Sequence, residues 1–134
     1  MDLLHQTNMA HAKPMPTPLP PGCKLSLDMG APLANPTHYR ATIGSLQYLS
    51  LTWPDVCFAV NKLSQFMHKP TDVHWKLVKC LLRYLLGIVN HCLLLHRHST
   101  CSVHAFSDAD WEGNKEDLSS TSAYVIYLGQ NPIS

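Results

Sequence analysis

Residues 71–87 read TDVHWKLVKCLLRYLLG, and this stretch most clearly decides the fold. Its apolar residues recur at helical spacing and would share one face; they are Val78, Leu81, Leu82 and Leu85. Pro70 and Thr71 suit the start of a helix, and Gly87 would supply its end. The stretch predicts an amphipathic helix that buries its leucines against other parts of the chain.

Two further helices are predicted upstream of this stretch. Thr37 is a candidate N-cap, and helical spacing links the apolar residues that follow it: Tyr39, Ile43, Leu46 and Leu49. Gly44 and Ser45 are expected to interrupt this helix. Pro54 suits the first turn of the next helix, whose apolar face would be Val56, Ala59, Val60, Leu63 and Phe66. We expect one helical segment over 37–90.

The chain before Thr37 has a different composition. Seven of the ten prolines lie between residues 13 and 36. Because proline has no amide donor and disfavours helix in the residue before it, this stretch is expected to be an extended linker. The residues before it are predicted to form a short helix without a core of its own. Residues 1–36 therefore comprise this N-terminal remnant and the proline-rich linker.

After Gly87 the apolar pattern changes to a period of two. The strands it predicts are Cys92–His96, Val103–Phe106 and Ala123–Leu128. Residues 108–120 would be a loop between the last two. Helices followed by strands predict an α+β fold. We expect 91–134 to hold only part of a sheet, since two or three strands alone are marginally stable.

The composition and charge limit the classes of function. Of the 134 residues 46% are hydrophobic and only 14% are charged, which predicts a buried core and some apolar surface that meets a partner. No membrane span or signal peptide is expected, and five cysteines without CxxC spacing favour an intracellular location, in cytoplasm or nucleus. The net charge from Lys62 to Arg97 is +5, whereas from Asp108 to Asp117 it is −4. This pattern is typical of a phosphate-binding surface beside a cation site, or of two solvated faces.

Asp108 is the candidate catalytic residue and magnesium ligand. It lies in SDADW (107–111), directly after an apolar strand. Two-metal nucleases place a carboxylate at such a strand to hold the cations that orient the attacking water. An acidic hairpin turn is the alternative, because aspartate also favours turns.

Lys76, Lys79 and Arg83 are the candidate nucleic-acid-binding residues. Their spacing places them on one side of the predicted helix, where they could follow a phosphate backbone. The ordinary polar face of an amphipathic helix gives the same pattern.

Histidine and cysteine are concentrated between residues 91 and 104. The cluster comprises His91, Cys92, His96, His98, Cys101 and His104. Structural zinc sites need two closely spaced ligand pairs, which this cluster only approaches. We expect no zinc site; a small zinc-stabilised interaction protein is the alternative.

Four stretches in one order resemble the copia-type Pol polyprotein of plant retrotransposons. They are YRATIGSLQYLSLTWPDVCFAVNKLSQFMHKPT, HWKLVKCLLRYLLG, FSDADWEGN and SSTSAYVIYLG. The upstream TNMAHAKPMPTPL is also similar, so the resemblance covers nearly the whole chain. Departures include Trp53, where the family usually has arginine, and Leu118-Ser119, where a basic pair is usual. Such losses weaken the expected contact with nucleic acid.

The resemblance implies that 37–90 is the helical, thumb-like end of a reverse transcriptase and that 91–134 begins an RNase H-like domain. It also implies that Asp108 is the family's first metal-binding carboxylate. Mg²⁺ would be the cofactor of the parent enzyme, and an RNA–DNA hybrid or DNA its partner. Because one carboxylate cannot build a two-metal site, the chain is expected to bind no cofactor and to catalyse nothing alone.

Overall fold

A computed structural model describes residues 2–23, 25–91, 94–110 and 120–133. The chain divides into two compact units, Met1–Asn90 and His91–Ser134. The elements in chain order are α1 (Asp2–Gln6), α2 (Pro36–Ser50), a 3₁₀ turn (Pro54–Val56), α3 (Cys57–Ser64), α4 (Asp72–Ile88), β1 (Val103–Asp110), β2 (Thr121–Leu128) and β3 (Asn131–Pro132). Helices followed by an antiparallel sheet confirm the predicted α+β class. None of the helices described is long and apolar enough to cross a membrane.

The first unit buries one core between α2, α3 and α4. Its fully buried side chains include those at the apolar positions that recur at helical spacing: Tyr39, Ile43, Leu46, Ala59, Val60, Leu63, Val78, Leu81 and Leu82. Burying a large apolar side chain contributes about 1.5–3 kcal/mol relative to leaving it exposed. The hydroxyl of Tyr39 donates to the Leu63 carbonyl at 2.7 Å, which joins α2 to α3, and burial raises the pKa of this hydroxyl.

The starts of α2 and α4 are set by side-chain caps. Asn35, not Thr37 as predicted, is the N-cap of α2, and its side chain accepts the Thr37 N–H at 3.0 Å. Proline at the first helical position costs no hydrogen bond, so Pro36 moves the start of α2 upstream. At α4 the N-cap is Thr71, and the Thr71 N–H donates to His74 Nδ1 at 3.1 Å as part of a capping box.

The predicted interruption of α2 is wrong, and the predicted end of α4 is displaced by one residue. The helix α2 runs without a break through Gly44 and Ser45, and the Ser45 hydroxyl donates to the Ala41 carbonyl at 3.1 Å. The buried Ile43 and Leu46 on either side hold this turn in helical form. The helix α4 ends at Ile88, one residue beyond the end predicted at about Gly87.

The proline-rich segment lies along the first unit and is tied to it at two places. Near Pro14 the chain meets α4, where the Met15 N–H donates to the Arg83 carbonyl at 3.3 Å. A Cβ at Gly87 would lie 3.2 Å from Pro14 Cβ, so the glycine allows this close approach. Further along, the Asp72 N–H donates to the Ala31 carbonyl at 2.9 Å. The segment therefore forms part of the helical unit's surface.

The second unit is an antiparallel sheet in the order β1-β2-β3. Its strands β1 and β2 pair from Val103 opposite Leu128 to Asp110 opposite Thr121, so β1 is longer than predicted. Gly129 turns the chain into β3 with a φ of +60°, and a Cβ there would collide with Ser99 Oγ and the Thr100 carbonyl. Only glycine fits this turn without strain.

The strand predicted at Cys92–His96 is wrong over the part that the structure describes. Leu94–His96 has no regular structure, and Cys92 and Leu93 lie outside the described residues. The Asn131 side chain binds the His96 backbone, accepting its N–H at 2.6 Å and donating to its carbonyl at 2.9 Å. An amide side chain thus takes the place of a neighbouring strand. Residues 111–119 of the predicted acidic loop also lie outside the described part.

Replacing Gly44 with alanine should stabilise the chain by about 0.5–1 kcal/mol, because Gly44 is helical and a Cβ there meets no atom within 4 Å. Urea unfolding followed by helical circular dichroism measures the change. Gly129→Ala is the matched control and should destabilise the sheet. A lower midpoint for Gly44→Ala would show that α2 is strained at this turn.

Candidate functional site

Asp108 lies within β1, two residues before the end of the strand, rather than where the strand emerges into a loop. Its Cα is opposite that of Ala123 in β2, and its side chain is exposed. The Asp108 Oδ1 atom accepts the Ala109 N–H at 2.9 Å. The carboxylate is therefore accessible and makes a local backbone hydrogen bond.

Strand alternation places Asp108 on one face of the sheet with His104 and Phe106. The register places Tyr127 opposite His104, Val125 opposite Phe106 and Ala123 opposite Asp108. The rings of Phe106 and Tyr127 meet edge to face, with centroids 6.2 Å apart. Among the described residues, the exposed carboxylate therefore shares its face of the sheet mainly with apolar and aromatic side chains.

A cation site at Asp108 needs further ligands. The side chain of Asp110, the next carboxylate along β1, lies outside the described part. Among the side chains that are described, no three from histidine, cysteine, aspartate and glutamate come together to hold a metal ion. The structure thus locates Asp108 without grouping it with other ligands.

The three basic residues of α4 lie on one side of the helix, and each has a partner within the chain. Lys76 Nζ forms an ion pair with Asp72 Oδ2 at 3.0 Å. Lys79 Nζ lies 5.9 Å from the centroid of the Trp75 ring. Arg83 Nε donates to the Lys13 carbonyl at 2.6 Å. These three side chains are accessible, but contacts within the chain occupy part of their hydrogen-bonding capacity.

The carboxylate of Asp72, in the first turn of α4, accepts hydrogen bonds from both Lys76 and Ala31. The hydrogen bond from Lys76, followed by that from the Ala31 N–H, lowers the pKa of Asp72. Asp72 Oδ1 accepts the Ala31 N–H at 2.9 Å while Oδ2 binds Lys76. Asp72 thereby holds the proline-rich segment against the start of α4 and offsets the positive charge of Lys76.

The described members of the histidine–cysteine cluster are exposed, and no three of them come together to hold a metal ion. His104 Nε2 lies 3.1 Å from Ser102 Oγ, and Cys101 is a free cysteine. Cys92 lies outside the described residues, so one of the two spacings that approach a zinc pair is not described.

Two features of the helical unit were not predicted from the sequence. Tyr84 donates to Asp55 Oδ2 at 2.8 Å, and this hydrogen bond raises the pKa of Tyr84. A small open cavity of about 200 Å³ also lies beside Trp75 and His38, below the roughly 300–1,000 Å³ of ordinary ligand pockets. The Tyr84–Asp55 pair could not be predicted from local sequence patterns, because its two residues are 29 positions apart.

Comparison with known proteins identifies close relatives over the whole chain. The chain is 54% identical over all 134 residues to the retrovirus-related Pol polyprotein from transposon RE1 of Arabidopsis thaliana. It is 52% identical over its whole length to the corresponding polyprotein from transposon RE2 of the same plant. It is 33% identical, over 98% of its length, to the Pol polyprotein from transposon TNT 1-94 of Nicotiana tabacum.

The relatives are much longer than this chain. The chain spans 9% of the RE1 and RE2 polyproteins and 10% of the TNT 1-94 polyprotein. No family model matches the chain, and no solved structure matches it.

Replacing Asp72 with asparagine should destabilise the chain at neutral pH but not in acid. Because the folded pKa of Asp72 is lowered, its carboxylate stabilises the fold above its unfolded pKa. That contribution is lost as pH falls through the folded pKa, so the wild-type and variant stabilities should converge there. Thermal unfolding across this pH range measures the difference.

The variant Lys76→Gln removes the largest cause of the Asp72 shift and serves as the comparison. It should reproduce part of the loss at neutral pH. A difference between wild type and Asp72→Asn that is constant with pH would show that the charge of Asp72 is not responsible.

Proposed function

Because the chain belongs to the copia-type retrotransposon Pol polyproteins, we propose that it is the segment where the reverse transcriptase ends and the RNase H begins. In this proposal the helical unit is thumb-like and the strand unit starts an RNase H-like domain. The observation that carries the proposal is the division of the chain into a helical unit ending at Asn90 and a strand unit beginning at His91. A junction between two catalytic domains predicts such a change of architecture.

The helical unit supports a structural role in this proposal. Its core joins α2, α3 and α4. The buried Thr71 and His74 side chains belong to the cap of α4, and the buried Tyr39 hydroxyl joins α2 to α3. The charged side chains Lys76, Lys79 and Arg83 are at its surface. The unit therefore offers a scaffold with a weakly basic side, and no reacting group is proposed in it.

The strand unit carries one candidate catalytic group. Two-metal hydrolysis of a hybrid needs several carboxylates around cations about 3.5–4 Å apart. In the described part of β1 and β2, Asp108 has Phe106 beside it on the same face and Ala123 opposite it. These residues do not fit a divalent cation site. We therefore assign Mg²⁺ to the parent enzyme, and we propose that this chain alone is inactive.

Nucleic acid is the partner proposed for the parent polyprotein. Three basic side chains on α4 would contact about three phosphates, which gives weak, sequence-independent binding. The ion pair of Lys76 with Asp72 competes with one of these contacts. We propose that the isolated chain binds an RNA–DNA hybrid near or below the non-specific range of roughly 10⁻⁴–10⁻⁶ M.

The purified chain should neither extend a primer nor cut an RNA–DNA hybrid with magnesium or manganese. The reason is that, among the side chains that the structure describes, Asp108 is not grouped with the further carboxylates that a two-metal site needs. Primer-extension and hybrid-cleavage assays at high enzyme concentration check this result. Cleavage that persists through purification and disappears in Asp108→Asn would contradict the proposal.

A binding titration on an RNA–DNA hybrid should show weak affinity that falls further between low and moderate salt. Lys79→Glu combined with Arg83→Glu should remove this binding, because the pair reverses two charges on one side of α4. Lys62→Glu combined with Lys69→Glu changes the net charge equally elsewhere and is the matched control. Submicromolar affinity at moderate salt that only the first pair abolishes would instead make the chain a working binding module.

A further inference from the structure

The side chain of Arg83 is held by a segment that lies 70 positions earlier in the chain. Its Nε atom donates to the carbonyl oxygen of Lys13 at 2.6 Å. The backbone of Arg83 is bound by the same segment, because its carbonyl accepts the Met15 N–H at 3.3 Å. Residues 13–15 therefore bind both the guanidinium and the backbone of one basic residue of α4.

The fit between this segment and α4 depends on Gly87, one turn after Arg83. A Cβ at Gly87 would lie 3.2 Å from Pro14 Cβ and 3.7 Å from the Met15 carbonyl oxygen. Residues four positions apart in a helix lie on the same side of it. Arg83 and Gly87 thus mark the side of α4 against which residues 13–15 pack, and all of these contacts lie within the helical unit.

The hydrogen bond to Lys13 uses only one of the five N–H donors of the Arg83 guanidinium. The four donors on Nη1 and Nη2 form a planar fork that matches two oxygens of a phosphate. Because Nε is already held, the side chain loses less rotamer freedom when this fork binds. A phosphate can therefore share Arg83 with the Lys13 carbonyl, although it cannot use Nε without displacing that carbonyl.

Lys13 adds a positive charge beside Arg83. Its side chain is exposed, and its carbonyl is in contact with the guanidinium. Lys79 lies four residues before Arg83, one turn away on the same side of α4. Three basic residues from two segments are therefore neighbours near the end of α4. The spacing within α4 indicated Lys79 and Arg83 but not Lys13, whose contact with α4 is long-range.

Lys76 lies nearer the start of α4 and is less available to a phosphate. Its Nζ atom is 3.0 Å from Asp72 Oδ2. With a rise of 1.5 Å per residue, Asp72 lies about 16 Å before Arg83 along α4. This separation exceeds the screening length of about 8–10 Å at moderate salt. The Asp72 carboxylate therefore offsets Lys76 but has little effect on a phosphate at Arg83.

We propose that Lys13 is a phosphate-binding residue and that residues 13–15 position Arg83 for the same ligand. The ligand is the phosphate backbone of nucleic acid, and the contacts come from Lys13, Lys79 and Arg83. This inference rests on the proposed binding of nucleic acid by α4, to which it adds a residue and a positioning segment. Contacts to phosphate do not read the bases, so the binding is independent of sequence.

Titration of the full chain with a DNA duplex at several salt concentrations tests the role of Lys13. Lys13→Gln keeps the backbone carbonyl that binds Arg83 but removes the charge. It should weaken binding about fivefold at low salt and lower the slope of log K against log salt by about 0.9, the value for one phosphate contact. Lys13→Arg should restore both quantities. Lys69→Gln, the same change at an exposed lysine outside α4, is the matched control and should leave the slope unchanged.

Two further variants test the positioning of Arg83. Arg83→Lys keeps the charge but loses the planar fork, so the affinity should fall about fivefold while the salt slope stays that of the wild type. Met15→Pro removes the N–H that binds the Arg83 carbonyl. It should lower affinity and slope as Lys13→Gln does, and combining these two changes should cause little further loss. Circular dichroism checks that each variant keeps its helices.

The possible failures have different meanings. If Lys13→Gln and Lys69→Gln give the same salt slope, Lys13 contacts no phosphate. If Arg83→Lys binds as tightly as the wild type, or if the losses from Met15→Pro and Lys13→Gln add in full, residues 13–15 do not position Arg83. Each of these results would overturn the inference and leave the proposed binding by α4 intact. A wild-type chain that does not bind the duplex even at low salt would contradict both.

Discussion

The burial of one face of α4 is the interaction on which the helical unit depends. Leu81 and Leu82 are fully buried against the side chains of α2 and α3, and each contributes about 1.5–3 kcal/mol relative to exposure. Because this face points inward, Lys76 and Lys79 point outward by the geometry of a helix. The same orientation exposes Asp72, which binds the proline-rich segment through the Ala31 N–H. The core and the surface contacts of the unit thus follow from how one helix is turned.

The sequence predicted this helix well because an amphipathic face is recorded in the spacing of its own residues. It predicted the helix ends less well, since several residues near an end can act as caps. Thr37 and Asn35 are both good N-caps, and the fixed φ of Pro36 decided between them. The cost of Gly44 in a helix was real but small, and the burial of its neighbours outweighed it.

The strands show where an alternating pattern carries too little information. Alternation describes a face, but it does not reveal whether a partner strand is present. At His96 the partner is the side chain of Asn131, 35 residues away, and no local pattern records such a contact. Asp108 could be found because an apolar run precedes it. Its surroundings could not, because the register with β2 determines them.

The two units differ in how their surface groups are satisfied, and this difference bears on what each can bind. Every basic side chain proposed to meet phosphate on α4 already has a partner in the chain. Exposed ion pairs contribute little, about 0–1 kcal/mol, yet a phosphate must still displace them or share their groups. On β1, by contrast, the exposed Asp108 carboxylate accepts a local hydrogen bond from the Ala109 N–H and forms no ion pair among the described residues. Phosphate binding at α4 therefore has to compete with contacts that the helical unit already makes.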